Sequence, residues 1–257
     1  MTIFTGAVSK ILHDAIKSVE LKVFLADLNN NHFNLKQEDQ IRDQLVAMLN
    51  KQKCDLFALS EYPKLRSNRQ TKTGTWARAE VDLSFVKRFP GGAPDLSGAT
   101  QAQVELKFQY PGDFRNQVVR RAILNDMSRI CFPGLTDAEV TEIFNPTDPQ
   151  KTVVQNVRQH GRPTTHLILI VQERTLFLEG YPRIGALSYI PANSNAEEFC
   201  DACLDQLHNE MSGQGIVLKQ SVVKHVVKVK GTVLQSRYHF FIYEIKSCRP
   251  AIISIIV

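Results

Sequence analysis

From Gln101 to Tyr110 polar and apolar residues alternate without a break. Gln101, Gln103, Glu105, Lys107 and Gln109 fall on one side, and Ala102, Val104, Leu106, Phe108 and Tyr110 on the other. Strict period two over such a stretch fits an extended strand and no helix. Ala79–Phe89 repeats the pattern, setting Glu80, Asp82 and Ser84 against Val81, Leu83 and Phe85. The intervening Pro90–Gly98 is rich in the residues that reverse a chain. The two runs are therefore expected to pair as a hairpin, with Asp82 opposite the side-by-side Glu105 and Lys107.

The tripeptide Glu105-Leu106-Lys107 is not unusual by itself, because Glu20-Leu21-Lys22 and Glu244-Ile245-Lys246 spell the same pattern. Only the middle copy has an acid in the strand before it. Residues 211–243 hold no Asp or Glu, and the first copy has only Asp14 upstream.

Around this hairpin the remaining elements can be placed. Residues 1–33 read as an amphipathic helical segment ending at the polar break Asn29-Asn30-Asn31. A helix follows over 34–50, with Asn34 as N-cap and Gln37 completing a variant capping box. Its stripe is Ile41, Leu45, Met48 and Leu49, and Glu38 falls within it. A carboxylate there needs a partner, a metal or an elevated pKa, unless it is a solvated first-turn Glu favoured by the helix dipole. A strand is expected at Leu56–Tyr62, and a second helix, capped by Asp113, carries Val119, Ile123, Met127 and Ile130. Thr165–Val171 is a continuous apolar run, as in a strand buried on both faces. Beyond it lie a helix at Ala196–Glu210, strands near 216–230 and 233–246, and a terminal apolar strand at 251–257.

With 257 residues, 43% of them hydrophobic, the chain can bury one sizeable core. The expected organisation is an N-terminal helical segment (1–33), a core (34–190) and a C-terminal α+β extension packed on it (191–257), together one structural domain. A net charge of +5 is compatible with a polyanionic partner but does not argue for one unaided. There is no signal-peptide pattern, no apolar run of membrane-spanning length and no internal repeat, and the cysteine count is odd at five. These features lead to the expectation of a cytoplasmic protein with reduced thiols and no membrane association.

Carboxylates gathered with a lysine can do phosphodiester chemistry. They bind Mg²⁺, which neutralises charge on the transition state and lowers the pKa of water. The lysine can orient or deprotonate that water and stabilise developing charge. Asp82, Glu105 and Lys107 form this minimum set, with Glu38, Glu80 and Glu61 as further carboxylates.

On these residues, stretch 34–172 resembles the PD-(D/E)xK nuclease superfamily, the restriction-endonuclease-like proteins. The elements carrying the resemblance are the lead helix with Glu38, Glu80-Val81-Asp82-Leu83, Val104-Glu105-Leu106-Lys107, and the helix and buried strand that follow. The resemblance implies an α/β fold with an α-β-β-β-α-β core and a central mixed sheet flanked by helices. It implies metal ligation by Asp82, Glu105 and the Leu106 carbonyl, with Lys107 at the water and Glu38 accessory. The implied activity is Mg²⁺-dependent hydrolysis of DNA, with Mn²⁺ as a substitute, by an endonuclease of a restriction, defence or repair system. DNA is favoured over RNA, and a homodimer would suit double-strand cutting. The alternative is an inactive protein of the same fold that binds nucleic acid or a protein partner. Two departures stand out: Val81 replaces the motif proline, and Arg121 follows Gln117 where the exonuclease branch has Tyr.

Basic residues could track phosphates beside the site: Lys64, Arg66, Arg69, Lys72 and Arg78 in the stretch 63–78, and Arg115, Arg120 and Arg121 on the second helix. Lys224, Lys228 and Lys230 share one face of a strand and could join them, or be simply solvated. Cys200-x-x-Cys203 with His208 lies in one helical run with no second pair, and reads as a helix edge rather than a zinc site.

Overall fold

In the computed structural model the described residues are 5–31, 37–52, 54–63, 80–96, 100–111, 113, 116–130, 163–176, 196–219, 222–231 and 234–247. They form α1 (Thr5–Lys17), α2 (Val19–Asn31), α3 (Glu38–Lys51), β1 (Leu56–Pro63), β2 (Glu80–Lys87), β3 (Ala102–Gln109), α4 (Gln117–Ile130), β4 (Thr164–Leu176), α5 (Ala196–Gly213), β5 (Val217–Leu218), β6 (Val223–Lys230) and β7 (Leu234–Ser247). This is an α/β fold on one mixed sheet, ordered β1-β2-β3-β4-β7, with β6 and β5 on the far edge of β7. All neighbours are antiparallel except β3 and β4, which run parallel.

The strand parity read from the sequence sets the layers. One face of the sheet, with Leu106 and Phe108 of β3, Ile168 and Ile170 of β4, and Tyr238 and Phe240 of β7, packs against α1, α2 and α3. The opposite face, with Leu167 and Leu169 of β4 and Phe241 and Tyr243 of β7, packs against α4 and α5. β4 is therefore buried on both sides, as its unbroken apolar run requires. β7 pairs with β4 from Thr165↔Ile245 to Leu176↔Leu234, so the region after residue 190 supplies a strand to the interior of the sheet.

Several boundaries differ from expectation, each for a local reason. The first segment is two helices, because Ser18 interrupts it and its Oγ accepts the Leu21 N–H at 3.1 Å, capping α2. Asn29 to Asn31 complete α2 instead of breaking it. Helix α3 starts at Glu38 with Gln37 at the N-cap and no side-chain cap; Asn34 lies outside the described residues. The Gln37 side chain is drawn inward, where its Oε1 accepts the Tyr238 hydroxyl at 2.9 Å. Asp113 closes a turn by accepting the Tyr110 N–H at 3.0 Å, and Asn116 caps α4 through the Val118 N–H at 2.9 Å. Helix α5 runs past Glu210. It ends in a Schellman turn in which Ile216 N–H reaches the Met211 carbonyl (3.0 Å) across Gly215 at φ 70. The terminal apolar stretch 251–257 lies outside the described residues.

Both ends of α3 are fixed on the sheet. Besides the Gln37–Tyr238 bond, the Asn50 amide exchanges two 2.8 Å hydrogen bonds with the Ala58 backbone of β1. Ile41, Leu45, Met48 and Leu49 are buried beneath it. A helix held this way has one orientation, and that orientation aims Glu38 at β3.

Candidate functional site

The β2–β3 hairpin forms, but its ladder holds only the three pairs from Phe85↔Ala102 to Leu83↔Val104. Past Val104, carboxylates replace β2 as the partner of β3. Asp82 Oδ2 accepts the Leu106 N–H and Glu38 Oε2 accepts the Phe108 N–H, both at 2.7 Å. Charge-assisted bonds thus satisfy two strand amides that a complete ladder would have taken. A residue's N–H and C=O point to the same side of an extended strand, so the Leu106 carbonyl faces this opening as well.

Lys107 occupies the fork. Its side chain is 18% exposed, and Nζ lies 3.2 Å from Glu105 Oε1, 3.4 Å from Asp126 Oδ2 and 3.7 Å from Glu38 Oε1. Glu38 comes from α3 on one face of the sheet and Asp126 from α4 on the other. Arg42 of α3 is the second cation, with Nη1 4.0 Å from Asp82 Oδ1. It also pairs with Asp39 and Asp43, each at 3.1 Å. Among the described residues, four carboxylates against two cations leave two negative charges in excess in a recess whose β3 wall is almost fully buried.

Burial alone would pull the Lys107 pKa down. The Glu105, Glu38, Asp126 and Asp82 carboxylates, in that order, outweigh it and hold the ammonium well above its ordinary value. Lys107 is therefore a fixed positive charge and hydrogen-bond donor here. Of the roles considered for it, orienting a water and stabilising developing charge use the ammonium as it stands here.

The donor set suits a hard cation. It is all oxygen, from carboxylates and one backbone carbonyl, and carries excess negative charge. Among the described residues no three of His, Cys, Asp and Glu converge on a point that could hold a metal ion as they stand. The Lys107 ammonium lies where their charges meet.

Asp82, Glu105, Leu106, Lys107 and Glu38 are thus brought together from α3, β2 and β3 as the sequence reading grouped them. Glu38 is a partnered carboxylate and not a solvated first-turn residue. Asp126 and Arg42 were missed, although helical period signals both. Asp126 falls between Ile123 and Met127 on the α4 stripe, and Arg42 is one turn after Glu38.

The two look-alike tripeptides serve other ends. Glu20-Leu21-Lys22 is helical, with Glu20 paired to Lys51 on the surface. Glu244 is buried in β7, where Ser9 Oγ (3.1 Å) and Lys219 Nζ (2.9 Å) donate to it.

The basic residues divide. Arg121 is exposed on α4. Arg120 is not available to a phosphate: it is 4% exposed, and its Nε bonds Glu210 Oε1 of α5 at 2.9 Å. Lys64, Arg66, Arg69, Lys72, Arg78 and Arg115 lie outside the described residues, as do the side chains of Glu61, Glu80, Cys200 and Cys203. On β6 Lys224, Lys228 and Lys230 are exposed while Val227 and Val229 are buried, and Lys224 pairs with Asp201 at 3.1 Å. His208 Nε2 lies 3.2 Å from the Tyr243 hydroxyl. Among the described residues no helix is long and apolar enough to cross a membrane.

No family model, no curated protein and no solved structure matches this chain.

Proposed function

We propose that the fork between β2 and β3 is the active site of a Mg²⁺-dependent nuclease acting on DNA, an endonuclease of a restriction, defence or repair system. One observation carries the reading. Three carboxylates, from α3, β3 and α4, pair with a single lysine beside Asp82 of β2, at the point where a hairpin splays open. Such a concentration of partly buried charge is costly to assemble, and sites that bind and turn over charged substrates are where it is found. The order α3, β1–β3, α4, β4, with the acids on β2 and β3, supports a restriction-endonuclease-like arrangement.

In this reading Asp82, Glu105 and the Leu106 carbonyl hold the cation. The metal, when bound, neutralises phosphate charge and lowers the pKa of water. Lys107 donates to a phosphate oxygen and stabilises the charge that develops there. Glu38, anchored on the Phe108 N–H, fixes the direction of the Lys107 side chain, and Arg42 holds Asp82 against β3. Arg121, exposed on α4, would meet a backbone phosphate without reading sequence. Incubating purified protein with plasmid DNA, in Mg²⁺ and in chelator, tests the proposal. Nicking or cutting is expected only with Mg²⁺, and Asp82→Ala and Lys107→Ala are expected to abolish it.

A second reading has its own support: two of the carboxylates already satisfy strand amides. On that view the acids are structural, and the protein binds nucleic acid or a protein partner without cleaving. It would show binding that Asp82→Ala barely alters and no hydrolysis in any divalent cation.

A further inference from the structure

Among the carboxylates of the fork, Asp126 is the one that no motif supplies, and its geometry sets it apart. Asp82 is tied to the Leu106 N–H and Glu38 to the Phe108 N–H, so both are fixed on the edge of β3. Glu105 follows from strand alternation. Asp126 stands on α4, on the opposite side of the sheet from α3, and meets Lys107 Nζ at 3.4 Å. The same ammonium lies 3.2 Å from Glu105. Lys107 is therefore the resident counter-ion of Glu105, and a divalent cation must compete with it for that carboxylate. An ammonium confined among carboxylates can yield one only if another takes it, since an uncompensated and largely buried charge is strongly disfavoured.

We propose that Asp126, the fourth carboxylate of the site, is a positioning residue that receives the Lys107 ammonium and so frees Glu105 for a divalent cation. The inference rests on the reading of the fork as a cation site. It adds the residue that lets a built-in positive charge and a divalent ion share one cluster. The Asp126–Lys107 pair then holds Nζ on the α4 side of β3, where it remains a donor to a substrate oxygen.

Mn²⁺ binding to the full chain measures this without any need for cleavage. Calorimetric titrations would compare wild type, Lys107→Met, Asp126→Asn and the double variant, with melting temperatures confirming that each is folded. Lys107→Met removes the competitor and is expected to bind Mn²⁺ at least about tenfold tighter than wild type. Asp126→Asn leaves the ammonium on Glu105 and is expected to bind at least about threefold weaker. In the Lys107→Met background the same substitution should have a clearly smaller effect, because there is no ammonium left to receive. Two results overturn the inference while leaving a cation site standing. One is Mn²⁺ affinity unchanged or weakened in Lys107→Met. The other is an Asp126→Asn effect of equal size in both backgrounds, which would make Asp126 a direct ligand or a distant charge. Absence of Mn²⁺ binding in all four proteins overturns both the inference and the reading beneath it.

Discussion

A buried histidine outside the fork should make the fold acid-sensitive in a way that can be assigned to one residue. His166 lies on β4 between Val104 of β3 and Glu244 of β7, with no exposed surface. The Ser9 hydroxyl donates to Glu244 Oε2 at 3.1 Å, so it can only accept from His166 Nε2, also at 3.1 Å. That assigns the proton to Nε2 and leaves Nδ1 bare, with no hydrogen-bond partner among the described residues. Protonation would bury an N–H without an acceptor. Burial pushes the ring down from 6.5 to about 4; Glu244 opposes that shift and Lys219 adds to it.

In the unfolded chain His166 takes its proton near pH 6.5, while the folded protein refuses it until about 4. Within that window the unfolded state binds more protons, so stability falls as the pH is lowered. Across the whole window the loss from this residue is roughly 3 kcal/mol. His166→Gln keeps an amide donor for Ser9 and does not titrate. Urea unfolding of both proteins from about pH 7.5 to about 4.5 should show the wild-type advantage shrinking by roughly 2–3 kcal/mol. Comparing the two proteins cancels the other titrating groups. A gap that stays constant over that range would refute the assignment of a neutral, Nε2-protonated His166.

Tyr238→Phe removes the hydroxyl that donates to Gln37 and accepts from Gln172 (2.8 Å). Chemical denaturation should show a loss of about 1–3 kcal/mol, and a loss below the error of the measurement would mean that this network does not fix the start of α3. Arg120→Ala should destabilise by roughly 3 kcal/mol, because it leaves Glu210 uncompensated between α4 and α5. Arg121→Ala should leave stability unchanged, weaken DNA binding and lower its salt dependence by about one ion. The opposite pattern would show that α4 is oriented differently.

How far the residues disclose this arrangement depends on whether the information is local. Alternation in 101–110 and the unbroken run in 165–171 dictate strands and their faces, and both are present as read. The stripe that carries Glu38 likewise dictates which side of α3 meets the sheet. Strand order is a different matter. That β7 inserts against β4 depends on long-range pairing of two apolar strands, which periodicity cannot rank among the alternatives. Helix starts failed where side chains had better partners inside the protein: Gln37 gives up capping for Tyr238, and Asp113 closes its own turn. Arg120 looks like a surface cation because arginine usually is one. Only the packing of α5 on α4 shows that its guanidinium is enclosed. Within the site, the motif led to Asp82, Glu105 and Lys107, whereas Asp126 is marked in the sequence only as a carboxylate on the α4 stripe, and its partner shows once α4 packs behind β3.

The most direct test of the proposed function is Mg²⁺-dependent cleavage of plasmid DNA by wild type, Asp82→Asn, Glu105→Gln and Glu20→Gln side by side. The last alters a tripeptide of identical pattern on the surface of α2. Wild type and Glu20→Gln should cleave at matching rates, while the two fork variants fall by at least about a hundredfold, each remaining folded. Cleavage that persists in both fork variants, or no cleavage by folded wild-type protein with Mg²⁺ or Mn²⁺, would contradict the account.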